Sequence, residues 1–277
     1  LPQVCMPMPP ILPSSTIGIL GGGQLGRMTA MAAARLGYKV HVYCPDDNEP
    51  AVEVSAQHTK GAFTDHNALE KFAKSVDVVT LEWENLPIQA LETVAKHAKL
   101  HPSSDVLRIA QDRAQEKLFA RNVGIGTADY VIVHSVDDLR EALKKFTLPA
   151  ILKSTRMGYD GKGQVKIRPD MDAAAAWAQM GGTTGILESF VDFTSEISVI
   201  VARRADGEMA AYPAVENIHR DHILFETHAP ANIPPAVNEE AVRIARTLAE
   251  KLNVVGLLAI EMFVLKTPNA AGQRVLM

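Results

Sequence analysis

A glycine-rich segment flanked by lysines is the part of this sequence with the clearest potential for chemistry. It runs from Gly158 to Gln164 and follows an apolar run that ends at Lys153. Glycines let the backbone turn tightly and approach a ligand closely, and lysines supply positive charge for a polyphosphate. The segment therefore predicts a flexible flap over a nucleotide. Because Asp-Gly is also a strong turn signal, a plain surface hairpin is the alternative.

A second glycine cluster lies near the start of the chain. Residues 21–26 (GGGQLG) follow an apolar run and precede a helical pattern, and Asp46 and Asp47 come about where a dinucleotide fold keeps its ribose-binding acid. A nicotinamide-dependent oxidoreductase is therefore one hypothesis. Because the amides at a helix N-terminus accept any anion, the loop is also compatible with another phosphate or with none.

Four carboxylates stand where strands are expected to begin or end. Glu82 and Glu84 follow an apolar run, at the edge where open α/β sheets bind ligands, and suit a small phosphosugar better than a dinucleotide. A solvated loop is the alternative for this pair. Glu188 and Glu196 flank an apolar Phe-Val pair, a mixed lining that suits adenine and ribose. A charged sheet edge is the alternative there.

Glu261 stands in an otherwise apolar run from Leu257 to Val264. A buried ionised carboxylate without a partner costs several kcal/mol, so this pattern predicts that Glu261 pairs with a cation. Mg²⁺ held by a carboxylate and by nucleotide phosphates meets this requirement. An ion pair with a lysine or arginine is the alternative.

Length and composition indicate an ordinary soluble globular protein. The 277 residues carry a net charge of −4 without a basic run, which leaves no electrostatic footprint for nucleic acid or an anionic membrane. Cys5 and Cys44 have no metal-binding or disulfide spacing, so a reducing, cytoplasmic compartment is expected. The longest apolar run, 254–265, is too short to span a bilayer. Residues 1–15 are rich in proline and lack a signal-peptide pattern, and we expect a disordered arm or an expression remnant.

The elements that would position these residues begin with a βαβ pattern. Apolar runs and helical spacing alternate, with a glycine turn between the first strand and helix. Such a pattern predicts parallel strands with right-handed crossovers. The strands and helices of this first region are expected at 17–20, 24–36, 39–43, 76–81 and 87–98.

The rest of the chain reads as a small α+β unit followed by an antiparallel sheet. Ser135 with Asp138 predicts a capped helix, and Asp206-Gly207 predicts a turn between two strands. The strands are expected at 130–133, 149–153, 164–168, 186–189, 196–204, 208–215 and 256–265. The helices are expected at 112–121, 135–145, 171–180 and 236–252. A hairpin at 268–272 would lead to one more strand at the end of the chain.

Together these segments resemble one known family. The matching motifs are residues 21–28 (GGGQLGRM), 80–85, Asp112-Arg113 with Lys117, Lys153 with the flap, 188–196, Tyr212-Pro213 with Asn217 and His219, and 256–264. In this order they are similar to the N5-carboxyaminoimidazole ribonucleotide synthetases, the PurK type of ATP-grasp enzyme. The resemblance runs from Ile17 to the last residue.

The resemblance implies a fold and a reaction. The fold is the ATP-grasp architecture, of α/β and α+β class: a Rossmann-like, parallel-sheet pre-ATP-grasp domain at 16–111, a linker helix and small lid domain at 112–184, and a larger antiparallel ATP-grasp domain at 185–277. In the reaction ATP phosphorylates bicarbonate to carboxyphosphate, which then carboxylates the amine of 5-aminoimidazole ribonucleotide in purine biosynthesis. Mg²⁺ or Mn²⁺ would be the metal, and a homodimer is expected.

The resemblance also implies roles for individual residues. Those expected at ATP are Arg113, Lys153, Gly158, Tyr159, Asp160, Gly161, Lys162, Gly163, Gln164, Glu188, Ser189, Phe190, Val191, Glu196 and His219. Those expected at the ribonucleotide are Gln24, Leu25, Glu82, Tyr159 and Asp160. Lys153, Asp160 and His219 are the expected catalytic residues, and Glu261 is the expected metal ligand. Lys153 and closure of the flap would position the phosphates, neutralise their charge and exclude water.

Three alternatives stay open at this point. A formate-using glycinamide ribonucleotide transformylase would have Glu in place of Gln24. A nicotinamide oxidoreductase would leave Lys153, the flap and Glu261 without roles. The third alternative is a non-catalytic nucleotide-binding module. The family also has a second metal-binding Glu, in an Asn-Glu pair, and a stretch with Arg, His, Asn and Ser, which would follow Met277; without them we expect little turnover.

Overall fold

The computed structural model describes residues 10–158 and 162–277, and the chain forms two compact units. The first unit contains the residues up to 108 together with the short stretches 203–208 and 253–256. The second contains 109–202, 209–252 and 257–277. The domain boundaries expected after 111 and after 184 stay predictions.

The first unit is built on a five-stranded parallel sheet. The order of its strands is β3-β2-β1-β4-β5, and every neighbouring pair is parallel. The elements are β1 (Thr16–Leu20), α1 (Gln24–Arg35), β2 (Lys39–Cys44), a 3₁₀ turn (Val52–Val54), β3 (Gln57–Lys60), α2 (His66–Lys74), β4 (Val78–Leu81), α3 (Ile88–Ala95) and β5 (Lys99–Leu100), followed by α4 (Ser104–Ala110). The doubly wound pattern is thus confirmed, while β3, with the polar sequence QHTK, carried no apolar signal.

Two residues, Gly18 and Asp65, explain how α2 forms and packs against this sheet. A Cβ on Gly18 in β1 would lie 2.8 Å from the ring of Phe72 in α2, so glycine lets that ring reach the sheet. Asp65 starts α2, because its side chain accepts a hydrogen bond from the N–H of Ala68. Phe72 and Leu69 are completely buried beside Tyr43 of β2.

Part of the predicted N-terminal arm is attached to the first unit. The Tyr38 hydroxyl donates to the carbonyl of Ile11 at 2.8 Å, and the N–H of Ser14 donates to the carbonyl of Gly37 at 2.8 Å. Residues 11–14 are therefore not the disordered arm that was expected. Residues 1–9 lie outside the described part of the chain.

The second unit begins with a helix and a four-stranded antiparallel sheet. The elements are α5 (Arg113–Asn122), β6 (Tyr130–Val133), α6 (Val136–Leu143), β7 (Ala150–Ser154), β8 (Gln164–Ile167), α7 (Ala173–Met180) and β9 (Gly185–Ser189). The strand order is β6-β9-β7-β8. Ser135 caps α6 as predicted, by accepting from the N–H of Asp138. Residues of α6 and α7 cover one face of this sheet with Leu139, Ala173, Ala176 and Met180.

The last part of the second unit is a larger antiparallel sheet. Its elements are β10 (Phe193–Arg203), β11 (Met209–Ala211), β12 (Val215–Arg220), β13 (Ile223–His228), α8 (Pro235–Lys251), β14 (Gly256–Leu265) and β15 (Val275–Leu276). The strand order is β13-β12-β10-β14-β15, and β11 pairs with β10. The parallel and antiparallel sheets together confirm the predicted fold class.

The single strand predicted at 208–215 is wrong. The chain forms β11, leaves the sheet at Tyr212, and begins β12 at Val215. Pro213 lies in the interruption and has no N–H to donate to a sheet ladder. The following strand, β13, was missed because its turn uses Asp221 and His222 with φ of 49° and 65°, where glycine would have signalled the reversal.

Candidate active site

The carboxylate of Glu82 lies against the first glycine cluster, residues 21–26. The N–H groups of Gly23, Leu25 and Gly26, at the start of α1, lie close enough to this carboxylate to oppose the rise in its pKa that burial causes. A Cβ on Gly23 would lie 2.5 Å from Glu82 Oε1, so the glycine makes this approach possible. The amides that the sequence offered to a phosphate therefore face the carboxylate of Glu82. A negative charge at this place disfavours the phosphate of a dinucleotide.

Three of the five residues predicted at the ribonucleotide lie here, at the start of α1 and just after β4. Gln24 and Leu25 are exposed on the first turn of α1, and Glu82 is half-buried. Burial raises the pKa of Glu82; the hydrogen bond from Gly23 opposes this, and the charge of Glu49 adds to it. Their contact with a ribonucleotide stays a prediction.

The second unit brings Lys153 and Glu188 together as diagonal neighbours on adjacent strands. In the pairing of β7 with β9, Ile151 is opposite Glu188 and Lys153 is opposite Ile186. Side chains at such diagonal positions share one face of the sheet. Lys153 Nζ donates to Glu188 Oε2 at 2.9 Å, and Nζ of Lys117 on α5 lies 3.5 Å from Oε1. One carboxylate therefore bridges two ammonium groups.

This bridge is largely buried, which strengthens its electrostatics. Glu188 is 5% exposed, and both lysine side chains are less than one fifth exposed. Burial acts to raise the pKa of Glu188, but the charges of Lys153 and Lys117 outweigh it and the pKa lies below its usual value. Burial lowers the pKa of Lys117, and Glu188 opposes this shift. The carboxylate of Glu188 is thus engaged with lysines, and the predicted adenine and ribose contact would have to come from its backbone.

Arg113 adds a third cation beside this bridge. Asp112 caps the start of α5, and the N–H of Arg113 donates to the carbonyl of Thr155, just after β7, at 2.9 Å. A Cβ on Gly158 would be 4.0 Å from Nη2 of Arg113. The guanidinium group therefore lies next to the base of the flap.

The flap connects two antiparallel strands, and its two ends lie together. β7 pairs with β8 so that Lys153 is opposite Gln164, and the N–H of Ser154 donates to the carbonyl of Gly163 at 2.7 Å. Gly163 has a φ of 69°, which favours glycine. The glycine segment therefore connects the two strands of a hairpin, as the alternative predicted, and a hairpin connection can also serve as a flap. Lys162 is exposed. Tyr159, Asp160 and Gly161 lie outside the described residues.

The residues that follow Glu188 have mixed surroundings. The Ser189 hydroxyl accepts a hydrogen bond from the N–H of Asp129, just before β6, at 3.1 Å. Phe190 is 43% exposed, and Lys166 Nζ lies 4.3 Å from the centroid of its ring. Val191 is half-buried. An exposed aromatic ring next to a cation suits a flat heterocycle, in line with the prediction for Phe190.

Glu196 and His219 meet on neighbouring strands of the larger sheet. Glu196 lies inside β10, not at the start of a strand as expected, and is opposite Asn217 of β12. His219 Nδ1 is 3.3 Å from Glu196 Oε2, but the alignment is too poor for a hydrogen bond. Nδ1 of His219 therefore has no hydrogen bond within the described residues.

Glu261 lies on the open face of the same sheet. In β14, Ile260 and Met262 point into the core under α8, whereas Glu261 is exposed. The prediction that Glu261 is buried is wrong, because this antiparallel sheet is covered on one side only. Ile197 of β10 packs into the same core, so Glu196 shares the open face with Glu261.

Glu116 is a charged residue of this region that the sequence interpretation missed. Burial raises its pKa to about 7; the charges of Arg113 and Lys117 oppose this, and that of Glu261 adds to it. The spacing of Arg113, Glu116 and Lys117 by three and four residues placed them on one face of α5 and was the available signal. Helix α5 thus connects the lysine bridge with Glu261.

The donor set for a metal is small. Within residues 10–158 and 162–277 no group of three or more His, Cys, Asp or Glu side chains is arranged to hold a metal ion. Mg²⁺ commonly takes one or two protein carboxylates and completes its shell with phosphates and water. The exposed carboxylate of Glu261 fits this kind of shared coordination. It does not fit a site in which the protein supplies all the ligands.

Comparison with known proteins identifies the family. The family described as ribonucleotide synthetase preATP-grasp domain matches residues 14–111, and the ATP-grasp domain matches residues 118–275. The N5-carboxyaminoimidazole ribonucleotide synthase of Bacillus subtilis is 42% identical over 255 residues, which cover 91% of this chain and 67% of that protein. The chain belongs to this synthase family.

Other members of the family differ in length and are similar in fold. The bifunctional purine synthesis protein purC/E of Dictyostelium discoideum is 45% identical over 280 residues, and the match covers 99% of this chain but 28% of that protein. The solved N5-carboxyaminoimidazole synthase of Aspergillus clavatus, in complex with ADP and 5-aminoimidazole ribonucleotide, has a TM-score of 0.85 at 32% identity. That match covers 95% of this chain and 68% of the solved chain. The resemblance derived from the motifs is confirmed.

Proposed function

We propose that the protein catalyses the ATP- and bicarbonate-dependent carboxylation of 5-aminoimidazole ribonucleotide to N5-carboxyaminoimidazole ribonucleotide, through carboxyphosphate. The observation that carries this proposal is the cation cluster of Arg113, Lys117 and Lys153, built around one buried carboxylate at the base of a glycine flap. Such a cluster suits the phosphates of ATP. Family membership supports the same reaction.

The residues take roles that follow from their positions. Lys153 and Arg113 would orient the phosphates and offset the charge that moves during phosphoryl transfer. The flap, with Asp160, would close over the reacting groups and exclude water from carboxyphosphate. His219 would contact ATP as a catalytic residue on the open face of the larger sheet, beside Glu196. Glu261 would hold Mg²⁺, which supplies charge neutralisation for the phosphates when bound.

In the first unit, Gln24, Leu25 and Glu82 would face the ribonucleotide. We also propose a homodimer in the cytoplasm. Within the described residues no helix is long and apolar enough to cross a membrane.

ADP release tests the reaction. With the complete polypeptide, ATP, Mg²⁺ and bicarbonate, we expect 5-aminoimidazole ribonucleotide to stimulate ADP release, because carboxyphosphate is consumed by the amine. Formate with glycinamide ribonucleotide is the matched control pair and should leave the rate unchanged. Stimulation by the formate pair instead would replace the proposal with the transformylase reaction.

A further inference from the structure

We infer that Lys117, to which the proposed reaction gives no individual role, determines how much positive charge Lys153 presents to ATP. Lys117 would do so without contacting ATP, because it offsets part of the negative charge that Glu188 directs at Lys153. The inference rests on the proposed ATP-dependent function and adds a residue that acts through Glu188 on the phosphates.

The geometry of the bridge carries the inference. Lys153 Nζ is 2.9 Å from one oxygen of Glu188, and Lys117 Nζ is 3.5 Å from the other. The Glu188 side chain is 6% exposed, so water screens its charge poorly. Oε1, which faces Lys117, forms no aligned hydrogen bond within the described residues, so its contact with Lys117 is electrostatic.

Charge counting shows what Lys117 contributes. Lys117, Glu188 and Lys153 together carry one net positive charge. Without Lys117, Glu188 would neutralise Lys153 alone, and the group would carry no net charge. Arg113 and Glu116 lie close to Lys117 and also contribute charge. The charge of Arg113 is common to all variants. Burial raises the pKa of Glu116 to about 7 and the charge of Lys117 opposes this rise, so Glu116 binds a proton more readily without Lys117. Removal of Lys117 therefore lowers the local charge by at most one.

If Lys117 acts through its charge, a second substitution that removes the charge of Glu188 should restore ATP binding. A packing role for Lys117 would not produce this recovery. Lys117→Met removes the cation but keeps an unbranched side chain at a position that is 12% exposed. Glu188→Gln in the same chain removes the anion, and one net positive charge returns with Lys153. The double variant should therefore bind ATP more tightly than Lys117→Met alone.

Calorimetric titration with ATP and with adenosine tests the inference. We expect Lys117→Met to weaken ATP binding by about tenfold or more, and Lys117→Arg to bind within about threefold of the unchanged protein. Lys117→Met with Glu188→Gln should recover most of the lost affinity. Adenosine, which has no phosphate, should lose little affinity in any of these variants. Lys144→Met removes a charge from the exposed lysine that directly follows α6 and is the control for net charge.

The outcomes separate this inference from the proposed function. If the unchanged protein fails to bind ATP, the proposed function itself is refuted. If it binds ATP and Lys117→Met binds equally well, or if the double variant is as weak as Lys117→Met, the inference is wrong. An equal loss of adenosine and ATP affinity would also overturn it, because that result indicates a packing defect.

Discussion

At the scale of residues, the candidate site is organised by one buried carboxylate with several cations around it. Glu188 accepts a hydrogen bond from Lys153 and faces Lys117, while Arg113 lies beside the flap. Burying an ion pair seldom stabilises a protein more than apolar packing would. The arrangement supports the proposal that these cations bind the phosphates of ATP.

The role of Lys153 is testable by truncation. Lys153→Ala should weaken ATP binding by about ten- to a hundredfold, because a charge-assisted contact is worth about 1.5–3 kcal/mol. Lys153→Arg keeps the charge and should lose less. Calorimetry at constant ionic strength measures both changes. Equal ATP affinity of Lys153→Ala and the unchanged protein would remove Lys153 from the site.

At the scale of elements, the start of α1 depends on a residue far along the chain. Glu82 follows β4, and its carboxylate lies beside the N–H groups at the start of α1, so it brings two elements of the parallel-sheet unit together. A carboxylate at a helix N-terminus satisfies free amides and interacts favourably with the helix dipole.

Removing this carboxylate should destabilise the first unit. Glu82→Ala removes the negative charge beside the amides of Gly23 and Gly26, and we expect a loss of about 1–2 kcal/mol in the free energy of unfolding. Glu82→Gln keeps an oxygen acceptor and should lose less. Urea denaturation measures the change. Glu84→Ala removes a nearby exposed carboxylate and is the control for the loss of one negative charge; its effect should be smaller than that of Glu82→Ala.

At the scale of the whole molecule, buried histidine links stability to pH. His41 is buried in β2, where its ring nitrogens contact the hydroxyls of Thr59 at 2.8 Å and Ser75 at 3.1 Å. Burial, with a smaller contribution from His58, lowers the pKa of His41 below 6.5. As the pH falls below 6.5, the unfolded chain therefore takes up a proton that the folded protein does not.

The free energy of unfolding should consequently decrease from pH 7 towards pH 5.5. His41→Gln removes the titrating ring and should show a smaller decrease over this interval, even if its stability at pH 7 is lower. Denaturant titrations at several pH values give both slopes. Identical slopes for the two proteins would exclude His41 as the source.

Local patterns in the sequence determined many of the regular elements and the family. The apolar runs of β1 and β2, the capped α6 and the glycine motifs depend on neighbouring residues, so the sequence alone predicted them. Only the tertiary structure decided which charges meet. The partners of Glu82 and Glu188 are tens of residues away, and the open face at Glu261 exists because α8 covers one side of the sheet. Local spacing carries no information on such long-range contacts, and they set the electrostatics of the site.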